Sequence, residues 1–96
     1  MKSMDFSAAE ALARAEVNRL GDGVGVEFGL MADRTLEVEA GWVFFFNTVK
    51  FIQTRNRSAA LAGNGPIYIT TSGVLHRLPS ATPWEAALKE LQGQST

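Results

Sequence analysis

The chain contains no cysteine, one histidine and one tyrosine among 96 residues. Without cysteine it can have no disulfide framework, no thiolate nucleophile and no zinc site built on sulfur. A lone histidine would leave any metal site to carboxylates and gives a nucleophile only one base to work with. Long apolar runs are missing too. The longest, Trp42 to Phe46, falls far short of the roughly 20 residues needed to cross a bilayer as a helix. The opening Met1-Lys2-Ser3-Met4-Asp5-Phe6 soon turns polar and lacks the apolar stretch of a signal peptide. These absences point to a cytoplasmic protein with no membrane partner. Nor does one sign of charge dominate: nine basic and ten acidic side chains give a net charge of −1. No basic field marks a nucleic-acid partner.

What is present suffices for one core. Hydrophobic residues make up 46% of the chain, and residues 1–96 read as a single domain with a frayed tail over 93–96. Ser7-Ala8-Ala9-Glu10 has the spacing of a capping box. Behind it Ala9, Leu12, Ala13, Val17 and Leu20 form an apolar stripe at helical spacing, with Gly21 placed to end the helix. Strict alternation follows, with Val24, Val26, Phe28 and Leu30 sharing one face, then a hairpin connection over 31–34. The sequence next predicts one long strand from Leu36 to Phe46. Leu36, Val38, Ala40, Trp42, Phe44 and Phe46 take one side, and the strand has a bend or bulge at Gly41. Residues 47–64 show no clear period, although Phe51 and Ile52 should anchor them and 58–62 can form a helical turn ending at Gly63. Gly63-Asn64-Gly65-Pro66 reads as a turn, with strands over 67–70 and 74–78 around a tight turn at 71–73. Thr82, Pro83 and Glu85 then open a closing helix whose buried stripe is Trp84, Ala87, Leu88 and Leu91.

The order helix, four strands, helix predicts an α+β two-layer sandwich, with a four-stranded antiparallel sheet and both terminal helices on one face. The other face is then left open. On it lie Val43, Phe45 and Tyr68, beside the acidic residues Glu37 and Glu39 and, across the expected hairpin, Glu27. An aromatic patch rimmed by carboxylates on an open face suits a protein-binding surface. Glu27, Glu37, Glu39, Phe45 and Tyr68 are therefore the expected partner contacts. The competing reading is that a loop or a second copy of the chain covers the patch.

No catalytic constellation emerges. His76 shares its strand face with Val74 and Leu78 and reads as structural. The glutamates lie where water keeps them ionised, which suits steering rather than acid–base work. Gly63-Asn64-Gly65-Pro66 lacks the lysine of a phosphate-binding loop, and no nucleophile elbow is present. No catalytic residue, metal or cofactor is expected, and the chain reads as a binding protein rather than an enzyme.

One pair of motifs is more specific. Thr35-Leu36-Glu37, Gly41-Trp42-Val43-Phe44-Phe45-Phe46 and Leu61-Ala62-Gly63-Asn64-Gly65-Pro66 are followed by Gly73, His76, Ala81, Pro83 and Glu85. In this order the chain from Thr35 to Leu88 resembles the bacterial Immunity protein 35 family. Gly41, Trp42, Phe44, Gly63, Asn64 and Pro66 carry the resemblance as structural positions. It departs at Pro79-Ser80-Ala81, where the family usually has Gly-Thr-Ala, and at Ala87, where it tends to have an aromatic residue. The resemblance implies an antitoxin that binds and neutralises a cognate polymorphic toxin. The rival is a small homodimeric structural or chaperone-like domain without a toxin target.

Overall fold

A computed structural model describes residues 4–61, 64–80 and 82–94. Gly63, named above as a motif residue, lies outside the described residues, as do Ala62, Ala81 and the last two positions. Helix α1 spans Phe6–Val24. Its cap is Asp5 rather than the expected Ser7: the Asp5 Oδ1 atom accepts the Ala8 N–H at 2.8 Å. Its end is also later than expected. Gly25, at φ +73°, takes the left-handed capping role, which glycine adopts without a Cβ clash. Gly21 stays helical and serves a different purpose. The Val26 N–H donates to the Gly21 carbonyl at 3.0 Å, and a Cβ on Gly21 would overlap the Val26 oxygen. The returning chain lies directly against the helix there.

The expected long strand over 36–46 is three strands. After β1 (Phe28–Leu30) and a 3-10 turn at Ala32–Arg34 come β2 (Leu36–Val38), β3 (Gly41–Phe44) and β4 (Phe46–Thr48). Strands β2 and β3 form a tight hairpin in which Leu36 faces Val43 and Glu37 faces Trp42. Partners in an antiparallel pair share a face. The hairpin therefore puts Leu36 and Val38 with Val43, and Glu37 with Trp42. That reverses the expected parity of β2. Gly41 is a point of close approach, since a Cβ there would overlap the Ile69 carbonyl.

The chain continues through α2 (Val49–Thr54), a second 3-10 turn (Arg57–Ala59), β5 (Ile67–Thr70), β6 (Leu75–Arg77) and α3 (Trp84–Gln94). Helix α3 opens just after Pro83, whose carbonyl accepts the Ala87 N–H at 3.0 Å. It runs through Gly93 and Gln94, which were expected to fray. The α+β class holds, with antiparallel strands flanked by the terminal helices. The strands form two sheets rather than one. Four run in the order β2-β3-β5-β6, while β1 and β4 make a separate pair.

The two terminal helices cover opposite faces of the four-stranded sheet, not the same one. Under α1, Ala9, Ala13 and Val17 pack with Trp42, Phe44, Ile67, Ile69 and the β1–β4 residues Phe28, Leu30 and Phe46. Under α3, Ala87 and Leu88 pack with Val43, Tyr68 and Leu78. The physical reason lies in the strand period. Val43 and Tyr68 alternate with Trp42, Phe44, Ile67 and Ile69, and both sets are apolar, so each needs its own cover. Burying a residue such as Phe44 or Ile67 contributes about 2–3 kcal/mol.

Candidate partner-binding surface

The five expected contact residues are not brought together as one open patch. Tyr68 is only 3% exposed, beneath α3, with its ring stacked on His76 at 5.8 Å between centroids. The expected open face is thus a covered one, and Tyr68 offers no surface to a partner. Phe45 sits between β3 and β4, half-buried, with the Arg34 guanidinium 5.9 Å from its ring centroid. Glu27, Glu37 and Glu39 are all exposed. Glu37 and Glu39 share the β2–β3 hairpin. Glu27 precedes β1, which pairs with β4 and not with β2. No strand pairing joins Glu27 to the other two.

Glu37 lies on the outer edge of the sheet at β2, which pairs on one side only. Leu36 is 39% exposed there, on the same face as Val43, with Arg34 two residues before it and Phe45 two residues after Val43. The reverse side of the same edge carries Glu37. Sequence reasoning missed Leu36 because its parity placed it in the core; only the register of the hairpin shows otherwise. It also missed Arg34, for which no sequence pattern announces a ring contact.

The motif residues act away from this edge, at β4 and in the core. Asn64 Nδ2 donates to the Phe46 carbonyl at 2.9 Å. The Asn47 Oδ1 atom accepts the N–H groups of Thr48 and Leu61 at 2.8 and 2.7 Å. The Thr48 hydroxyl donates to the Ala59 carbonyl at 2.7 Å and accepts the Phe51 N–H at 3.0 Å. These bonds fasten Ala59, Leu61 and Asn64 onto β4, satisfying backbone groups that a loop would otherwise leave unpaired. Between Asn64 and Pro66, Gly65 lies so close to the Leu78 carbonyl that a Cβ would overlap it. Trp42 and Phe44 lie in the α1 core.

On the other flank, two clefts border α3. One, of about 230 Å³, is lined by His76, Leu78, Ala87, Glu90 and Leu91 among others. The second, of about 290 Å³, runs past Tyr68, Thr70, Ser72 and His76. Ala87, in place of the aromatic residue the resemblance leads one to expect, lines the first. Among the described residues no three His, Asp or Glu side chains come together to hold a metal ion. The hydrogen bond from Arg19 holds the Glu16 carboxyl below the usual value, and the Arg19 and Arg77 charges reinforce this. Glu16 ties α1 to β6 through Arg77 at 3.7 Å. This is a structural pair at the surface.

The chain is a small antiparallel α+β domain whose four-stranded sheet is covered on both faces and has β2 as one of its edges. The chain matches the Immunity protein 35 family over residues 8–90 and belongs to it. It is also similar to the Escherichia coli (strain K12) protein named "Uncharacterized protein YrhB", at 40% identity over 53 residues. That stretch covers 54% of this chain and 56% of the relative, so the match spans little more than half of either. No solved structure matches the chain. Among the described residues no helix is long and apolar enough to cross a membrane.

Proposed function

We propose that this chain is an antitoxin that binds a cognate bacterial polymorphic toxin in a stoichiometric complex and performs no chemistry of its own. The observation that carries this reading is the family match over 8–90. The surface supports it. An unpaired strand edge with an exposed leucine, a half-buried phenylalanine and two glutamates combines apolar contact with charge, the mixture protein interfaces use. Such an edge takes a partner by backbone pairing, contact of Leu36 and Phe45, and attraction of basic groups by Glu37 and Glu39. Glu27 stands apart from that edge in the strand order and contributes at most long-range steering. The complex forms in the cytoplasm of the producing cell, before the toxin can act there.

The test is co-expression with the toxin-domain protein encoded beside its gene. Restored growth, together with a one-to-one complex in sedimentation, is the expected result. Continued killing with no complex, while the chain sediments as a tight dimer burying the β2 edge, sinks the proposal in favour of a homodimeric structural domain.

A further inference from the structure

A third cleft lies on the reverse side of the β2 edge. It is an open pocket of about 380 Å³ lined by Phe6, Ala32, Thr35, Glu37 and Trp42. Its aromatic walls belong to one ring group. Phe6 meets Trp42 edge-on at 6.2 Å between centroids and stacks on Phe44 at 6.0 Å. Phe6 is 43% exposed although it is part of this cluster. Glu37 is the only charged side chain lining the cleft, and among the described residues it makes no ion pair. The cations nearest in sequence do not supply one: Arg34 is engaged on the Phe45 ring.

We infer that this cleft receives an arginine side chain of the protein partner. The inference rests on the toxin-binding reading for the identity of that partner, but not for the chemistry of the cleft. A guanidinium is planar. It can lie against aromatic surface while its N–H fork meets a carboxylate, so one side chain satisfies both walls. A neutral polar group gains no charge attraction and only a weaker ring contact without the cation–π term, and an acidic group is repelled by Glu37. The hairpin register creates the site. It turns Glu37 toward the face of Trp42, beside the first turn of α1, where the expected parity would have put it on the other side of the sheet.

The probe is N-acetyl-arginine amide, with its neutral citrulline analogue as control, titrated into isotope-labelled protein. The indole N–H signals of the two tryptophans report separately. Trp42 lines the cleft, while Trp84 belongs to the cluster under α3. The arginine compound is expected to shift the Trp42 signal dose-dependently and leave Trp84 in place. Glu37→Gln should abolish the shift, and citrulline should produce none. An equal response to citrulline, or one that survives Glu37→Gln, overturns the cation assignment. Against the cognate toxin, Glu37→Gln should weaken binding about tenfold, or about 1.4 kcal/mol, whereas Glu85→Gln on α3 should leave it unchanged. Undiminished toxin affinity in Glu37→Gln removes the cleft from the interface. If no toxin complex forms but the Trp42 response is intact, the antitoxin reading fails and the cation cleft stands.

Discussion

The two faces of the four-stranded sheet are built differently. Beneath the long helix α1, small side chains at Ala9 and Ala13 let the helix approach rings and branched residues of four strands. Phe44, Ile67, Ile69 and Val17 are wholly enclosed. Beneath the shorter α3 the buried set is smaller, and two clefts border the helix. The first face resembles the interior of an independent domain. The second has just enough cover to hide Val43 and Tyr68. Stability should therefore depend mainly on the α1 side, which leaves the α3 side and the β2 edge freer to change.

The sharpest way to break this comparison is to truncate one residue on each face. Phe44→Ala should cost about 3–5 kcal/mol, the range for truncating a fully enclosed phenylalanine. Leu88→Ala should cost nearer 2 kcal/mol, the low end for such a truncation, because the adjoining clefts let the site relax. Urea unfolding curves of the two variants measure the difference, and equal losses would refute the unequal partition. A smaller effect is expected at Asn64→Ala. Losing the bond to the Phe46 carbonyl should cost about 1 kcal/mol, with amide exchange accelerated at Leu61 and Thr48 more than in β5. Uniform acceleration would mean that Leu61 and Asn64 are not fastened locally.

The smallest effect concerns the link between α1 and β6. Glu16 has a lowered pKa in the folded chain. Its contribution is therefore present above the unfolded value, near 4.5, and lost as pH falls through the lower folded value. Glu16→Gln should reduce stability by under about 1 kcal/mol at neutral pH, and the gap from the unchanged protein should close in acid. Arg19 and Arg77 have side chains 68% and 46% exposed, so solvent screening keeps the effect small. A gap that persists unchanged in acid would assign the loss to packing instead of charge.

Helix α1, strand β5 and helix α3 were legible because each carries a period or a turn signal of its own. Local alternatives shifted the caps: Asp5 stands two residues before Ser7, and Gly21 and Gly25 compete for one ending. Only the close approach of Val26 shows why Gly21 belongs inside the helix. The run from 36 to 46 was misread for a more general reason. Alternation can pass unbroken through a tight hairpin, so the pattern is compatible with a straight strand, and register is a non-local fact. That single ambiguity propagated. It placed Glu37 on the wrong side of the sheet and Leu36 in the core, whereas Tyr68 was put among the contacts for another reason: its face was expected to be open, and α3 covers it. Glu37 and Glu39 could be recognised as exposed, whereas Phe6 could not be seen as part of a cleft before α1 was known to begin at it.

The hairpin between Val38 and Gly41 has a consequence for how such a chain can diversify. Point substitutions along β2 alter one contact at a time and leave the assignment of residues to faces untouched. A change in the length of the Glu39–Ala40 turn by one residue acts on the whole strand. It exchanges the sides presented by Leu36, Glu37 and Val38, moving the carboxylate away from Trp42 and the aliphatic groups toward it. Repertoires built on this scaffold can therefore drift gradually by substitution or jump to a different recognition chemistry by a single codon inserted or deleted in the turn.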